Sequence, residues 1–547
     1  MEADASDSHS TLSPLRIGTF RDLWFASMAS NFGGLIQGVG AAWLMTSIAE
    51  SADMVALVQT STTLPIMMLS LVAGAIADSF ERRRVMLFAQ LFMFTVSACL
   101  ATAAWLGWIT PWVLLGFTFL IGCGGAFHNP AWQAAVGDVV PREKIAAAVL
   151  LNSVSFNVTR SVGPALGGAI VATAGAFAAF AINTVSYLGL ITVLWRWRPD
   201  LPPRTMPREN LATAMTAGVR YVAMSPNIVK VMVRGFAFGL TTIVVLALLP
   251  LVTRDLLQGD ALVYGSLLGA FGVGAVAGAF ISRPARERLS NEHLVRWCYL
   301  AFALSALAAA ESATAWLTGA VLIVAGAAWV MALSLFNTTV QMSTPRWVVG
   351  RALSLYQMAI FGGMALGSWC WGHVAEGFSV EIALLGSAAA MLAGLAIGWW
   401  IPLPAREALN LDPLNRWQEP RTTLEIQPRS GPISISVEYL IAEADVAEFL
   451  QAMTERHRIR RRDGAYHWTL MRDMENPQLW TESFEIPTWV EYVRLHSRTT
   501  HADAHVGDRI RALHAGDGAP RVRRMLIRNP ARARAEALAL ETPDLQH

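Results

Sequence analysis

Charge is scarce in this chain of 547 residues: Asp, Glu, Lys and Arg together make up 15% of it, against 54% apolar residues. That balance excludes a single compact water-soluble domain. The scarcity is also regional, because nearly all charges before residue 406 fall in short clusters between long uncharged stretches, as in a polytopic membrane protein. Cysteine is rare too. Cys99, Cys123, Cys298 and Cys370 all sit in apolar runs without metal-ligand spacing, which argues against a disulfide framework or a zinc site and leaves them as small core residues. The stretch 1–14 has no basic segment ahead of an apolar one, so no cleavable signal peptide is expected. No cofactor motif occurs; no cofactor, bound metal or nucleic-acid partner is expected.

A helix needs about 20 apolar residues to cross the hydrocarbon core, and a helix satisfies its own backbone there. Cut at charges and turn residues, the sequence gives twelve spans. Runs 23–49 and 54–77 are spans one and two; 85–137, broken at Gly107 to Pro111, holds three and four. Run 145–195, charged only at Arg160 and broken near Gly175, holds five and six. Runs 235–253, 261–282, 294–310, 317–341, 352–375 and 382–405 supply the remainder. Twenty basic residues, among them Arg16, Arg82 to Arg84, Lys144, Arg196, Arg234, Arg286 and Arg346, fall in connections on one side, and Arg254 alone falls on the other. Positive residues stay on the cytoplasmic side, which places both termini there. Residues 209–223 are expected to form an amphipathic surface helix.

Six spans, a basic linker and six more invite a search for repetition. Gly74, Asp78, Arg82 and Arg84 align with Gly278, Ser282, Arg286 and Arg288 at an offset of 204, and Pro141, Gly163 and Gly168 align with Pro345, Gly367 and Gly372 at the same offset. Two parallel six-helix halves are the arrangement of carriers that rock about a midplane cavity.

Residues 74–84 resemble the cytoplasmic gating motif of the major facilitator superfamily, with Gly74, Asp78, Arg82 and Arg83 matching and Ser79 and Glu81 departing from it. The resemblance implies that the arginines bridge the two halves in one state and release them in the other. Span five carries Asn157, Arg160, Gly163, Pro164, Gly167 and Gly168, whose Gly-Pro-x-x-Gly-Gly core resembles the signature of drug:proton antiporters. Proline bends the helix and glycines admit a close neighbour, so this segment is expected to hinge and seal. The stretches 127–133, 140–143 and 151–157 resemble more specifically the branch of enterobactin exporters and related transmembrane secretion effectors. That likeness implies export of a small molecule, a siderophore or a hydrophobic drug-like compound, from the bacterial inner membrane, with proton coupling.

Arg160 lies about 24 Å along its helix from Lys144, a depth at which an arginine is costly unless it faces a cavity or a partner. No Asp or Glu lies deep within any span, leaving His128 and His373 as midrange titrating groups. Asn31, Gln37, Gln133, Gln341 and Gln357 are candidates for a neutral hydrogen-bonding cavity lining, with Trp43, Phe238 and Tyr356 as apolar walls.

Beyond Pro404 the composition changes: 20 of the 42 basic residues lie in 406–547, all arginine. Alternation over 433–440, helical spacing over 444–457, strands at 466–471 and 479–486 and a helix over 489–513 suggest a ferredoxin-like sheet with helices on one face. It resembles the antibiotic-biosynthesis-monooxygenase-like fold, which implies a homodimer through this domain. Arg460 to Arg462 are expected at a solvated helix end or against anionic lipid. The fold class read here is an all-α membrane protein of twelve transmembrane helices in two halves, plus a small soluble α+β domain. The divisions are a bundle at 1–195, a cytoplasmic linker at 196–234, a second bundle at 235–405, a linker at 406–430, the α+β domain at 431–530 and a tail at 531–547. The expected function is secondary export of a small molecule, without enzyme activity; a membrane-anchored enzyme or a sensor acting through the α+β domain is the alternative.

Overall fold

The computed structural model describes residues 12–141, 144–199, 211–345, 347–404 and 426–528, with a few positions between 411 and 424. The linker 406–430 for the most part, the tail 531–547 and Arg346 lie outside the described residues. The chain divides into two compact units, the first built from residues up to 215, 227–341 and 350–407, the second from 216–226, 342–349 and 408–547.

In the first unit, long helices follow one another with short turns between: α1 Gly18–Ile48, α2 Ala52–Ser79, α3 Arg82–Trp105, α4 Pro111–Val139 and α5 Ile145–Arg196. Helix α5 is two limbs joined at Gly175, whose φ of 76° is open to glycine and strained for other residues, so the expected break is there. After α6 Leu211–Ala223, whose residues from 216 belong to the second unit, come α7 Pro226–Thr242, α8 Ala261–Arg288, α9 Asn291–Glu311, α10 Ala315–Met342, α11 Val349–Gly377 and α12 Val380–Trp400. Among the described residues nine helical stretches are long and apolar enough to cross a membrane, one of them Ala147–Arg196 of α5. Helices α1 and α11, at 31 and 29 residues, are long enough as well.

The outer surface of this unit suits hydrocarbon. Phe88, Val185, Phe280 and Leu304 stand exposed on the helix sides, an arrangement water would not tolerate over a wide area. Trp105, Trp108, Trp112 and Trp316 are exposed at one end of the helices and Trp195, Trp297, Trp399 and Trp400 at the other, the two levels at which amphipathic rings meet lipid headgroups.

Helix α7 begins at Pro226, ahead of the expected start of span seven at residue 235. Arg234 is therefore inside the helix, fully buried, and its Nη2 lies 3.1 Å from Glu292 Oε1 at the start of α9. Reading spans as charge-free runs cannot find such a pair.

The second unit holds a four-stranded antiparallel sheet of β1 Ile433–Leu440, β2 Tyr466–Arg472, β3 Leu479–Ile486 and β4 Arg521–Leu526 in the order β2-β3-β1-β4. Alternate residues of β1 are buried, Ile433, Ile435, Val437 and Tyr439. They pack with Phe449 and Met453 of α13 Val446–Asp463, with Tyr492 and Leu495 of α14 Trp489–Arg498, and with Ile510 of α15 His501–Ala512. The single helix expected over 489–513 is two, because Thr500 starts a new one: its side chain and that of Asp503 form a reciprocal capping box. Strand β4 completes the ferredoxin-like order and pairs with β1, Val437 opposite Val522.

Of the arginines at the end of α13, Arg461 is exposed as expected of a solvated end, whereas Arg460 and Arg462 turn inward. Arg460 packs over Phe484 at 4.4 Å and reaches Glu482, while Arg462 bonds Asp463 and Asp503. Buried carboxylates draw them inward. The same unit includes two strips from the helical part of the chain: Tyr221 sits edge-on to Trp347, with Arg462 over Tyr221 and Arg498 over Trp347.

Candidate functional site

Helical periodicity places the polar residues of the first half around a common space. Asn31, Gly34 and Gly38 lie on one face of α1, Thr118, Ile121, Gly125 and His128 on one face of α4, and Phe156, Arg160 and Pro164 on one face of α5. They line a cavity of about 500 Å³, closed on its other side by Leu246, Pro250, Tyr264, Leu268 and Phe271. The first half supplies the polar groups and the second half an apolar wall.

Arg160 dominates this lining. Its guanidinium lies 5.7 Å from the centre of the Phe271 ring, and among the described residues it has no hydrogen-bond or ion-pair partner. His128 Nδ1 is 3.3 Å from Gln90 Nε2, both lining the cavity. Gln37 Oε1 accepts from Ser97 Oγ at 3.1 Å and from Asn183 Nδ2, which also reaches Tyr187 Oη at 3.1 Å. These bonds occupy and orient Gln37, so its partners on α3 and α5 set the shape of the floor.

Asn31, Gln37, Arg160 and Pro164 are thus brought together around one space. Asn157 instead donates to Ser153 O at 2.8 Å and lies outside the lining. Gln133 is exposed one turn beyond Asn129, Gln341 is exposed on the last turn of α10 and bonds Asn337, and Gln357 is half-buried away from the cavity. Amide polarity alone gives neither depth nor face, which is why these three differ. The expected walls differ too. Phe238 is buried among Tyr299, Phe302, Trp329 and Phe336, Tyr356 bonds Leu333 O, and Trp43 stacks on the lining residue Tyr264. His373 stacks on Trp369. Gln59, Gln90, Asn129 and Tyr187 line the cavity unforeseen; helical spacing from Asn31 and His128 could have pointed only to faces, not to these partners.

Glycines let the backbones of the two halves approach closely. A Cβ on Gly168 would lie 2.6 Å from Ala261 O and 2.8 Å from Gly265 Cα; one on Gly272 would lie 2.6 Å from Arg160 O. Backbone meets backbone there. Gly163 and Gly167 serve the first half internally, against Leu35 and Val39 of α1. Gly168→Val is therefore expected to lower the unfolding temperature by an amount matching roughly 1–3 kcal/mol of overpacking and to stop transport, read by thermal unfolding in detergent beside an efflux assay.

The motif after span two makes contacts within the first half. Arg82 Nη1 donates to Ala134 O at 3.0 Å and to Asp138 at 2.6 Å, and Arg83 donates to the carbonyls of Leu194 and Trp195. The side chain of Asp78 lies outside the described residues. The contact between halves at this end belongs to α2 and α11: Ser70 Oγ donates to Ser354 O at 3.2 Å, and a Cβ on Gly74 would lie 2.7 Å from Ser354 Oγ. At the opposite end Arg254 donates to Thr46 O and Glu376 accepts from the Ala52 amide.

Residues 9–532 match the transmembrane secretion effector family of the major facilitator superfamily. The chain belongs to this family. This secretion effector is 24% identical over 383 residues to the multidrug efflux pump Tap of Mycolicibacterium fortuitum, covering 67% of this chain and 92% of that one. It is 27% identical over 364 residues to the enterobactin exporter EntS of Shigella boydii, covering 64% and 83%. Against the staphyloferrin A transporter of Staphylococcus aureus it is 24% identical over 257 residues, 46% of this chain and 63% of that relative's length. A POT family transporter in complex with 5-aminolevulinic acid shares its fold at a TM-score of 0.57 and 12% identity, covering 70% of this chain and 96% of the other. A bacterial homolog of the human lysosomal transporter Spinster does so at 0.54 and 13%, covering 70% and 95%. The chain is a mostly helical, multi-pass member of this membrane transporter family, with a small C-terminal α+β domain.

Proposed function

We propose that this secretion effector exports a small, largely apolar molecule bearing an anionic or carbonyl-rich group, by exposing the cavity alternately to the two faces of a bacterial inner membrane. The observation that carries the reading is the Arg160 guanidinium, which lines the cavity without a hydrogen-bond or ion-pair partner among the described residues. An arginine in the hydrocarbon zone is retained at a cost; a substrate anion compensates it through charge-assisted bonds. Leu246, Leu268 and Phe271 take the apolar remainder. The siderophores in two relatives' names and the drugs in a third suggest the class: a siderophore or a hydrophobic drug-like compound.

Proton coupling belongs to the same proposal. The described lining holds no Asp or Glu, and His128 is its one imidazole. Twenty basic residues against one support cytoplasmic termini, and the tail's resemblance to a dimeric fold supports a homodimer through the α+β domain.

Thermal unfolding of the full chain with a panel of ligands tests the substrate class. Anionic or carbonyl-rich compounds should stabilise it, by about 2.7 kcal/mol at a hundredfold excess over Kd, and the effect should disappear in Arg160→Gln. Stabilisation confined to lipophilic cations overturns the reading. Removing residues 420–547 should leave efflux intact; its loss would favour the reading in which the α+β domain carries the activity. Asp78→Asn should slow turnover several-fold while leaving ligand affinity unchanged, checked by comparing efflux rate with binding; unchanged turnover removes Asp78 from the gate.

A further inference from the structure

The α+β domain contains a second cavity, of about 340 Å³, between its sheet and its three helices. Its inner wall is apolar, from Ile435, Val437, Phe484 and Ile510. Its charged lining has one sign: Arg456 and Arg460 from α13, Arg511 from α15 and Arg524 from β4. Arg511 and Arg524 stand at the exposed mouth of this space and Arg456 and Arg460 lie within it, where water screens them little and negative charge is needed to answer them.

The protein supplies part of that charge. Glu482, fully buried behind the cavity, bonds Arg460 at 3.4 Å, Trp468 Nε1 at 3.0 Å and Tyr439 Oη at 3.0 Å. Burial alone would raise its carboxyl pKa, but Arg460 and Arg456 with these donors hold it below the usual range, so it is ionised. Asp508 answers Arg511 at 2.8 Å on the exposed rim. Two carboxylates against four guanidiniums leave two positive charges over.

The excess falls on two residues. Arg456 Nε is buried without a hydrogen-bond partner, with Glu482 Oε2 no nearer than 3.9 Å. Arg524 donates from Nε to the Tyr492 hydroxyl at 2.6 Å, and no carboxylate among the described residues pairs with it there. His496 adds no charge, since burial first and the nearby arginines second push its pKa down to about 3. A glycine at 507 leaves room for the Arg456 head, for a Cβ there would lie 3.0 Å from its Nη1.

We propose that this cavity is a binding site for a small aromatic or alicyclic anion, a carboxylate or sulfonate whose charged group bridges Arg456 and Arg524 while its ring lies against Val437 and Phe484. A volume near the lower end of the range for ligand pockets suits a one- or two-ring compound. The site is separate from the membrane cavity and does not depend on what that cavity carries.

Isothermal titration of the full-length protein in detergent with 1-naphthoate tests this, with 1-naphthylmethylamine as the cation of like size. Naphthoate should bind at a site that survives Arg160→Gln and weakens at least about tenfold in Arg456→Gln and in Arg524→Gln, as expected for loss of one charge-assisted bond. The amine should give no heat. Arg524 lies on an exposed strand, so its variant decides the matter should Arg456→Gln fail to fold. Absence of naphthoate binding, equal affinity in the wild type and Arg524→Gln, loss of all binding in Arg160→Gln, or equal binding of the amine would overturn the proposal.

Discussion

Arg160→Gln is expected to lower export at least about tenfold, and up to a hundredfold, while leaving expression and membrane insertion as in the wild type. The size follows from losing one or two hydrogen bonds to a charged group, about 1.5–3 kcal/mol, in a cavity where low dielectric strengthens them. Because no described side chain depends on this guanidinium for a hydrogen bond or an ion pair, its removal leaves no buried carboxylate stranded. Arg160→Lys separates charge from shape, since an ammonium cannot reproduce the planar fork. Equal loss in both variants, with intact folding, indicates bidentate recognition; retention in the lysine variant indicates charge alone. Normal export by the glutamine variant would make Arg160 a structural residue.

The second large effect concerns stability. Arg234 is fully buried, with Nη2 on Glu292 and Nη1 donating to Gly394 O at 3.3 Å. Glu292 also accepts from Arg296 and from the Leu403 amide, which ties α7, α9 and the end of α12 together. The fit is close, for a Cβ on Gly398 would lie 1.7 Å from Glu292 Oε1. Breaking a buried pair from one side typically costs 3–5 kcal/mol, whereas removing both charges costs much less. Arg234→Met should therefore lower the unfolding midpoint in detergent markedly, by about 3 kcal/mol or more, and adding Glu292→Gln should recover part of the loss. An unchanged midpoint in Arg234→Met would show that the pair contributes nothing.

The contrast between these two arginines shows what sequence reading reaches. Lipid forbids unpaired backbone and charge over about 20 residues, so the apolar runs and the break at Gly175 are legible without any contact information. Arg160 is legible for the same reason, as a lone charge deep in such a run. Arg234 is not. A charge ends an apolar run and so puts it in the linker, and the carboxylate that lets it enter the helix comes 58 residues later. The cavity shows the same division: Asn31 and Gln37, picked out by amide polarity, fall at a depth where they line it, whereas Gln133 and Gln341 have the same chemistry at the wrong depth. In the α+β domain, β1 and β3 announce themselves by alternation. Strand β4 does not, since its exposed Arg-Val-Arg-Arg stretch becomes a strand through pairing with β1. The arginines on α13 likewise read as a surface cluster until Glu482, Asp463 and Asp503 are seen beneath them.

The central claim is that an anion crosses the membrane through the cavity bounded by Arg160 and Phe271. Transport by the purified full-length protein in sealed lipid vesicles tests it most directly, with a labelled anionic chelator and a lipophilic cation of the same size compared under an imposed pH gradient. The account predicts protein-dependent movement of the anion, lost in Arg160→Gln and kept when residues 420–547 are removed. Movement of the cation alone, or anion movement indifferent to Arg160, would contradict it.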